Sequence, residues 1–238
     1  MWSFSFSPGY IAAAAFLLFT GSGYTAQVLK LFRRSKACRL GRLSPEAVCD
    51  GLHPVREFWS LMAFLLFALS GMTRSYLDWF LVGSRLPVIL LANVILIVLV
   101  RYRVGRAKVL FPIALGVDAS FLLLGAAIAA GISVHQTLIP ALVDVSLAGV
   151  SIFLFYGKSL QAWTMVKQRR SAAVSWWREV GLVLKDLTGL WYALSVGGEL
   201  FWVALTHVLS TLSSSSICIA KYWIERPKNC ASRTVSEE

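Results

Sequence analysis

The chain predicts an all-α integral membrane protein of seven transmembrane helices, and three observations carry that prediction. Of its 238 residues 57% are hydrophobic and only 15% charged, with a mean hydropathy of +0.68; a soluble domain carries about a quarter charged residues. The apolar residues gather into seven runs of spanning length. Between those runs the basic residues fall in alternate connections. Other classes drop out on composition. Four Cys in 238 residues is ordinary usage and not a disulfide scaffold, and the lack of long polar stretches excludes disorder. Spans of about 20 residues each leave little room for a soluble catalytic domain.

In chain order the runs are approximately 9–32, 58–73, 86–100, 109–134, 138–156, 180–196 and 200–220. The first follows an uncharged N-terminus and exceeds a signal-peptide core in length, so it is expected to be retained. The second is the shortest and must extend towards Tyr76 to cross. No run alternates with period two, which argues against a barrel.

The charges orient the helices. Lys30, Arg33, Arg34, Lys36, Arg39, Arg42 and Arg56 lie in the first connection, and Arg101, Arg103, Arg106 and Lys108 in the third. The fifth holds Lys158, Lys167, Arg169, Arg170 and Arg178, and the tail holds Lys221, Arg226, Lys228 and Arg233. These are 20 of the 23 basic residues; Arg74 and Arg85 fall on the other side and Lys185 within a span. The positive-inside rule then places the N-terminus outside and the C-terminus in the cytosol. A net charge of +11 is therefore topological, and nucleic acid is not an expected partner.

An internal repeat runs through the chain. Gly23, Gln27, Arg33, Arg34 and Ser35 close the first span, and Gly157, Gln161, Arg169, Arg170 and Ser171 close the fifth, the glutamines standing 134 residues apart. Arg56-Glu57 opens the second span and Arg178-Glu179 the sixth, 122 apart, so the first connection holds about a dozen extra residues around Cys38 to His53. Arg101-Tyr102 and Lys221-Tyr222 close the third and seventh, 120 apart. The predicted organisation is a three-helix repeat over 1–104, a linker helix over 105–136, a second repeat over 137–225 and a short cytosolic tail over 226–238. Three spans invert the chain, and a fourth restores the second copy to the orientation of the first. Parallel repeats about an axis along the membrane normal are a recurring transporter plan.

The glutamine with its following basic residues and serine, in each copy, resembles the PQ-loop repeat, the family of the SWEET sugar transporters and lysosomal amino-acid exporters and, more distantly, of KDEL-receptor-like proteins. Leu43-Ser44 and Val174-Ser175 match the Leu-Ser that follows the basic loop in that family. The motif's proline is replaced by Ala26 in one copy and Leu160 in the other. The resemblance implies a 3+1+3 fold and a transporter of a small polar solute, such as a sugar or amino acid, by alternating access between the repeats. The alternative it implies is a non-transporting receptor or scaffold.

Ionisable residues at membrane depth are costly, about 2.5–3.5 kcal/mol each on insertion scales, and point to function. Asp118 falls in the fourth run, Asp144 in the fifth, and Lys185 and Asp186 in the sixth. All three aspartates are candidates for proton coupling. Lys185 is placed to snorkel to the cytosolic surface, and its angular separation from Asp186, about 100° on a helix, does not require the two to pair. Asn93, mid-span in the third run, aligns with Ser213 in the seventh through the closing basic-Tyr pairs. Asn93, Ser213, Asp186, Thr206 and His207 are the candidate solute contacts. Gln27, Gln161, Gly23 and Gly157 are candidate gating elements, the glutamines bonding freed carbonyls or each other across the axis. Trp163, Trp176 and Trp177 are expected interfacial anchors.

No enzyme is expected. His-Glu-x-x-His and Gly-x-Ser-x-Gly are missing from the sequence, and Cys38, Cys49 and His53 are poorly spaced for zinc, so neither metal nor cofactor is called for. A retinal protein needs a lysine deep in the seventh span, whereas Lys221 sits at its edge. A G-protein-coupled receptor shares the orientation and lacks the repeat.

Overall fold

The computed structural model describes residues 8–73, 79–130, 138–196 and 201–226, and among these every regular element is helical. Arg74, Tyr76, the end of the fourth run beyond 130, and the tail from 227 lie outside the described residues. Among the described residues four helices are long and apolar enough to cross a membrane: Pro54–Met72, Val82–Arg101, Ala107–Ile128 and Val145–Gln168. The chain is a helical membrane protein by that measure. Large apolar side chains such as Leu90, Leu122, Leu123, Ile152 and Ile219 point outward, as expected where lipid is the solvent.

The first helical rod is built from α1 (Pro8–Phe16), a π-helical turn at Leu17–Gly21 and α2 (Ser22–Arg39). The π turn marks a close approach: a Cβ on Gly181 would collide with the carbonyl oxygen of Phe19. A 3₁₀ turn at Glu46–Cys49 leads to α3 (Pro54–Thr73), followed by α4 (Trp79–Arg101) and α5 (Ala107–Ala129). After them come α6 (Leu138–Gln168), α7 (Trp176–Val196) and α8 (Phe201–Glu225).

The basic connections are more helical than the apolar runs alone predict. The first rod continues past the predicted end at 32 to Arg39, and α6 continues past 156 to Gln168. Apolar runs end where lipid ends, whereas backbone hydrogen bonding in a helix has no such limit.

The helices of the two predicted repeats, the first rod with α3 and α4 as one group and α6 with α7 and α8 as the other, pack extensively on one another. The first rod packs on α4 and α7, α3 on α4, α5 and α6, and α8 on α6 and α7. The Ala107–Ile128 span of α5 is only 11% buried and leans on α3 and α4, so it rides on the outside. The extra residues of the first connection fold inward: Val48, Cys49 and Leu52 join the hydrophobic core. Arg34 donates to the carbonyls of Val48 at 3.1 Å and Ala47 at 2.5 Å. This loop meets the α6–α7 connection, where Ala173 N–H donates to Asp50 O at 3.0 Å. Gly51, at φ +83°, is the glycine the approach requires, since a Cβ there would lie 2.7 Å from Arg170 O.

Candidate functional site

The repeated motif residues exchange partners between the two groups. Arg56, at the start of α3, donates through Nη2 to both oxygens of Glu179 on α7, at 2.8 and 2.6 Å, and through Nη1 to Gln161 Oε1 on α6 at 3.1 Å. Arg178, at the start of α7, donates through Nη1 to Glu57 Oε1 at 2.8 Å and through Nη2 to Glu57 Oε2 and to the Tyr24 hydroxyl, the last at 3.0 Å. All four ionised side chains are fully buried. The Arg178 guanidinium also lies 4.3 Å from the centre of the Tyr24 ring.

Two glycines admit these arginines. A Cβ on Gly23 would sit 2.8 Å from Arg178 Cα, and one on Gly157 would sit 3.0 Å from Arg56 Cα. The two predicted glutamines also reach across, though not to each other. Gln27 donates to Ala173 O at 2.7 Å and accepts from Ser175 N–H at 2.8 Å, stapling the connection that enters α7. Gln161 supports Arg56.

A second polar cluster lies further along the helices. Asp186 on α7, fully buried, accepts from Ser210 Oγ at 2.5 Å, lies 3.0 Å from His207 Nδ1, and pairs with Lys185. Lys185 is therefore not a snorkelling anchor: its ammonium turns inward to its sequence neighbour, and the side chain is 9% exposed. The attraction in a low dielectric outweighs their angular separation around the helix. The ring of His207 fills the space left by Gly189, where a Cβ would collide with it, and stacks on Phe67 with centroids 5.8 Å apart. Lys158 on α6 is fully buried and donates to Ser210 Oγ at 2.6 Å, Ser214 Oγ at 2.7 Å and Ser210 O at 3.3 Å. Thr206 and Ser151 share a hydrogen bond of 2.6 Å.

Beside this cluster is a small cavity with about 20 Å³ open to the centre of a water molecule, room for one or two waters. One wall comes from α1, α3 and α4, through Phe16, Ser60, Phe64 and Arg85; the other comes from α6, α7 and α8, through Lys158 and Lys185 together with Thr206, His207 and Ser210. The Arg85 guanidinium lies 4.0 Å from the Phe16 ring centre, so the residue counted on the outer side reaches inward.

The other sequence candidates lie elsewhere. Asn93 is not among the residues lining this cavity; it donates to Asp118 Oδ2 at 2.8 Å and to Ile89 O at 3.2 Å, joining α4 to α5. The expectation that Asn93 and Ser213 face one central site is corrected accordingly, because Ser213 Oγ bonds its own helix at Leu209 O and Ser210 O. Asp118, half-buried on α5, is likewise separate from Asp186. Asp144 belongs to α6, and its side chain lies outside the described residues. Trp163 and Trp177 are exposed and Trp176 partly so.

Sequence reading missed the buried role of Arg56, Arg178, Lys158 and Lys221, all counted as orientation charges. The signal for the first two was the glutamate that follows each arginine in both copies. Lys221 bonds Ser171 O at 3.3 Å and pairs with Glu225.

Among the described residues no group of three or more His, Cys, Asp or Glu is placed to hold a metal ion. No protein-family model matches this chain, and no curated protein matches it.

Proposed function

We propose that this chain is a membrane transporter of a small polar solute, working by alternating access between two like-oriented three-helix repeats joined by α5. The repeats are the first rod with α3 and α4, and α6 with α7 and α8, in a seven-span, PQ-loop-like plan with the N-terminus outside. The observation that carries the reading is the buried cluster of Asp186, Lys185, His207, Lys158 and Ser210 beside a cavity whose walls come from both groups of helices. Buried ionisable groups cost stability, and a site that binds solute between moving halves gives them a use.

On this reading the exchanged Arg–Glu pairs close the cytosolic end, because the beginnings of α3 and α7 follow the basic connections. Opening that end separates Arg56 from Glu179 and Arg178 from Glu57. Asp186 is the proton-coupling candidate best supported by burial, since its carboxylate gathers Lys185, His207 and Ser210 around it.

The test is flux. Purified protein in proteoliposomes is offered radiolabelled solutes with and without an imposed pH gradient. Uptake that responds to the gradient, and loses that response in Asp186→Asn, supports coupled transport. Saturable binding without flux replaces it with the receptor reading, which the unbroken course of α6 through Leu160 favours, since the family's bending proline is replaced by leucine at that position.

A further inference from the structure

Three polar clusters compete for a use: the exchanged Arg–Glu pairs, the Asn93–Asp118 pair, and the lysine cluster at the cavity. The first two are balanced in charge or internally bonded. The third is not. Asp186 is the one carboxylate bonded to either of these lysines among the described residues, and it is already shared. Lys185 pairs with it directly. Lys158 reaches it only through Ser210, and each of its three hydrogen bonds ends on a neutral oxygen. Lys158 and Lys185 thus draw on one carboxylate among the described residues, with Arg85 adding a third cationic side chain to the lining of the same cavity, in a place where burial disfavours an ammonium without a counter-charge.

We propose that the cavity receives the anionic group of the solute, a carboxylate or phosphate, with Lys158 and Lys185 as its counter-charges. Both lysines line the cavity, as do the hydroxyl-bearing Ser60, Thr206 and Ser210. The pairing suits an oxyanion, which accepts charge-assisted hydrogen bonds from ammonium and hydroxyl donors together. A cationic solute is disfavoured for the same reason, because Asp186 has no charge left to offer it. With room for one or two waters the cavity as it stands is smaller than a phosphate, so even the charged end of such a solute enters only as the helix groups separate.

This inference deepens the transport reading and rests on it, so its test reads binding rather than flux. Thermal unfolding of detergent-purified protein is followed with sodium phosphate, sodium succinate, glucose or putrescine at matched ionic strength. Phosphate or succinate is expected to raise the midpoint by about 2 °C or more, with no rise from glucose or putrescine. Lys158→Gln is expected to remove the anion response. Should that variant not elute as a single species, Ser214→Ala, which deletes one of the Lys158 hydrogen bonds, is expected to change the midpoint concentration of the response.

Stabilisation by glucose or putrescine alone overturns the proposal, as does an anion response unchanged in Lys158→Gln. A phosphate response abolished by phosphatidylglycerol in the micelle overturns a soluble solute in favour of a lipid headgroup. Anion binding without flux supports the site and removes the transport reading; glucose flux without an anion response does the reverse.

Discussion

Arg56 and Arg178 each reach across to the glutamate beside the other: Arg56 bonds Glu179 at 2.6 Å while Arg178 bonds Glu57 at 2.8 Å through Nη1, with no exposure at any of the four side chains. Every ion in the arrangement depends on a helix of the other group. Removing one member of a buried pair leaves the other uncompensated, at about 3–5 kcal/mol, whereas replacing both by apolar groups is often neutral. Arg178→Ala is therefore expected to lower stability by that amount, the more so because Tyr24 loses its donor. Arg178→Met with Glu57→Leu is expected to recover most of it. Thermal unfolding of the purified variants checks the order, and a double variant no better than the single one refutes it.

The glycines give a contrast of sign. Gly23→Ala puts a methyl 2.8 Å from Arg178 Cα and Gly157→Ala one 3.0 Å from Arg56 Cα, in both cases against backbone that cannot swing aside. Overpacking of this kind costs about 1–3 kcal/mol. Gly149 and Gly83 have open space where the Cβ would go, and alanine at a helical position is favoured by up to about 1 kcal/mol over glycine. The first two substitutions are expected to lower the unfolding midpoint and the last two to hold or raise it.

Cys38 and Cys49 both belong to the inserted loop and differ in burial, Cys38 half-buried and Cys49 buried. Burial pushes the Cys49 thiol up to about 12, with Asp50 adding to the shift and Arg34 opposing it. The thiolate is the nucleophile, so a thiol raised this far is almost wholly protonated and slow to react at pH 8. In variants that retain a single cysteine, maleimide is expected to label the half-buried Cys38 readily and Cys49 scarcely at all. Labelling of Cys49 should climb about tenfold per pH unit while the fold persists. Equal rates at pH 8, read by mass spectrometry, would mean that the loop does not cover Cys49.

Helix positions were legible because they follow from where apolar residues run and where they are interrupted. The partners were not. A repeat offset assigns Asn93 to the position of Ser213 but does not say which way either points. Asn93 turns to Asp118 on α5, an outer helix that packs on α3 and α4 and gives the first group a neighbour the second lacks. Counting cations as topology likewise treats Lys158 and Arg101 alike, yet Arg101 is exposed while Lys158 is buried. Only the register of α6 against α8, which brings Ser210 and Ser214 to the Lys158 ammonium, separates these cases.

Arg56 and Glu57 leave the ribosome 122 residues before Arg178 and Glu179. Until α7 is made, the early half of the chain holds two formal charges whose lasting counterparts do not yet exist. A chain cut short before α7 therefore keeps Arg56 and Glu57 without the partners that bury them in the whole fold.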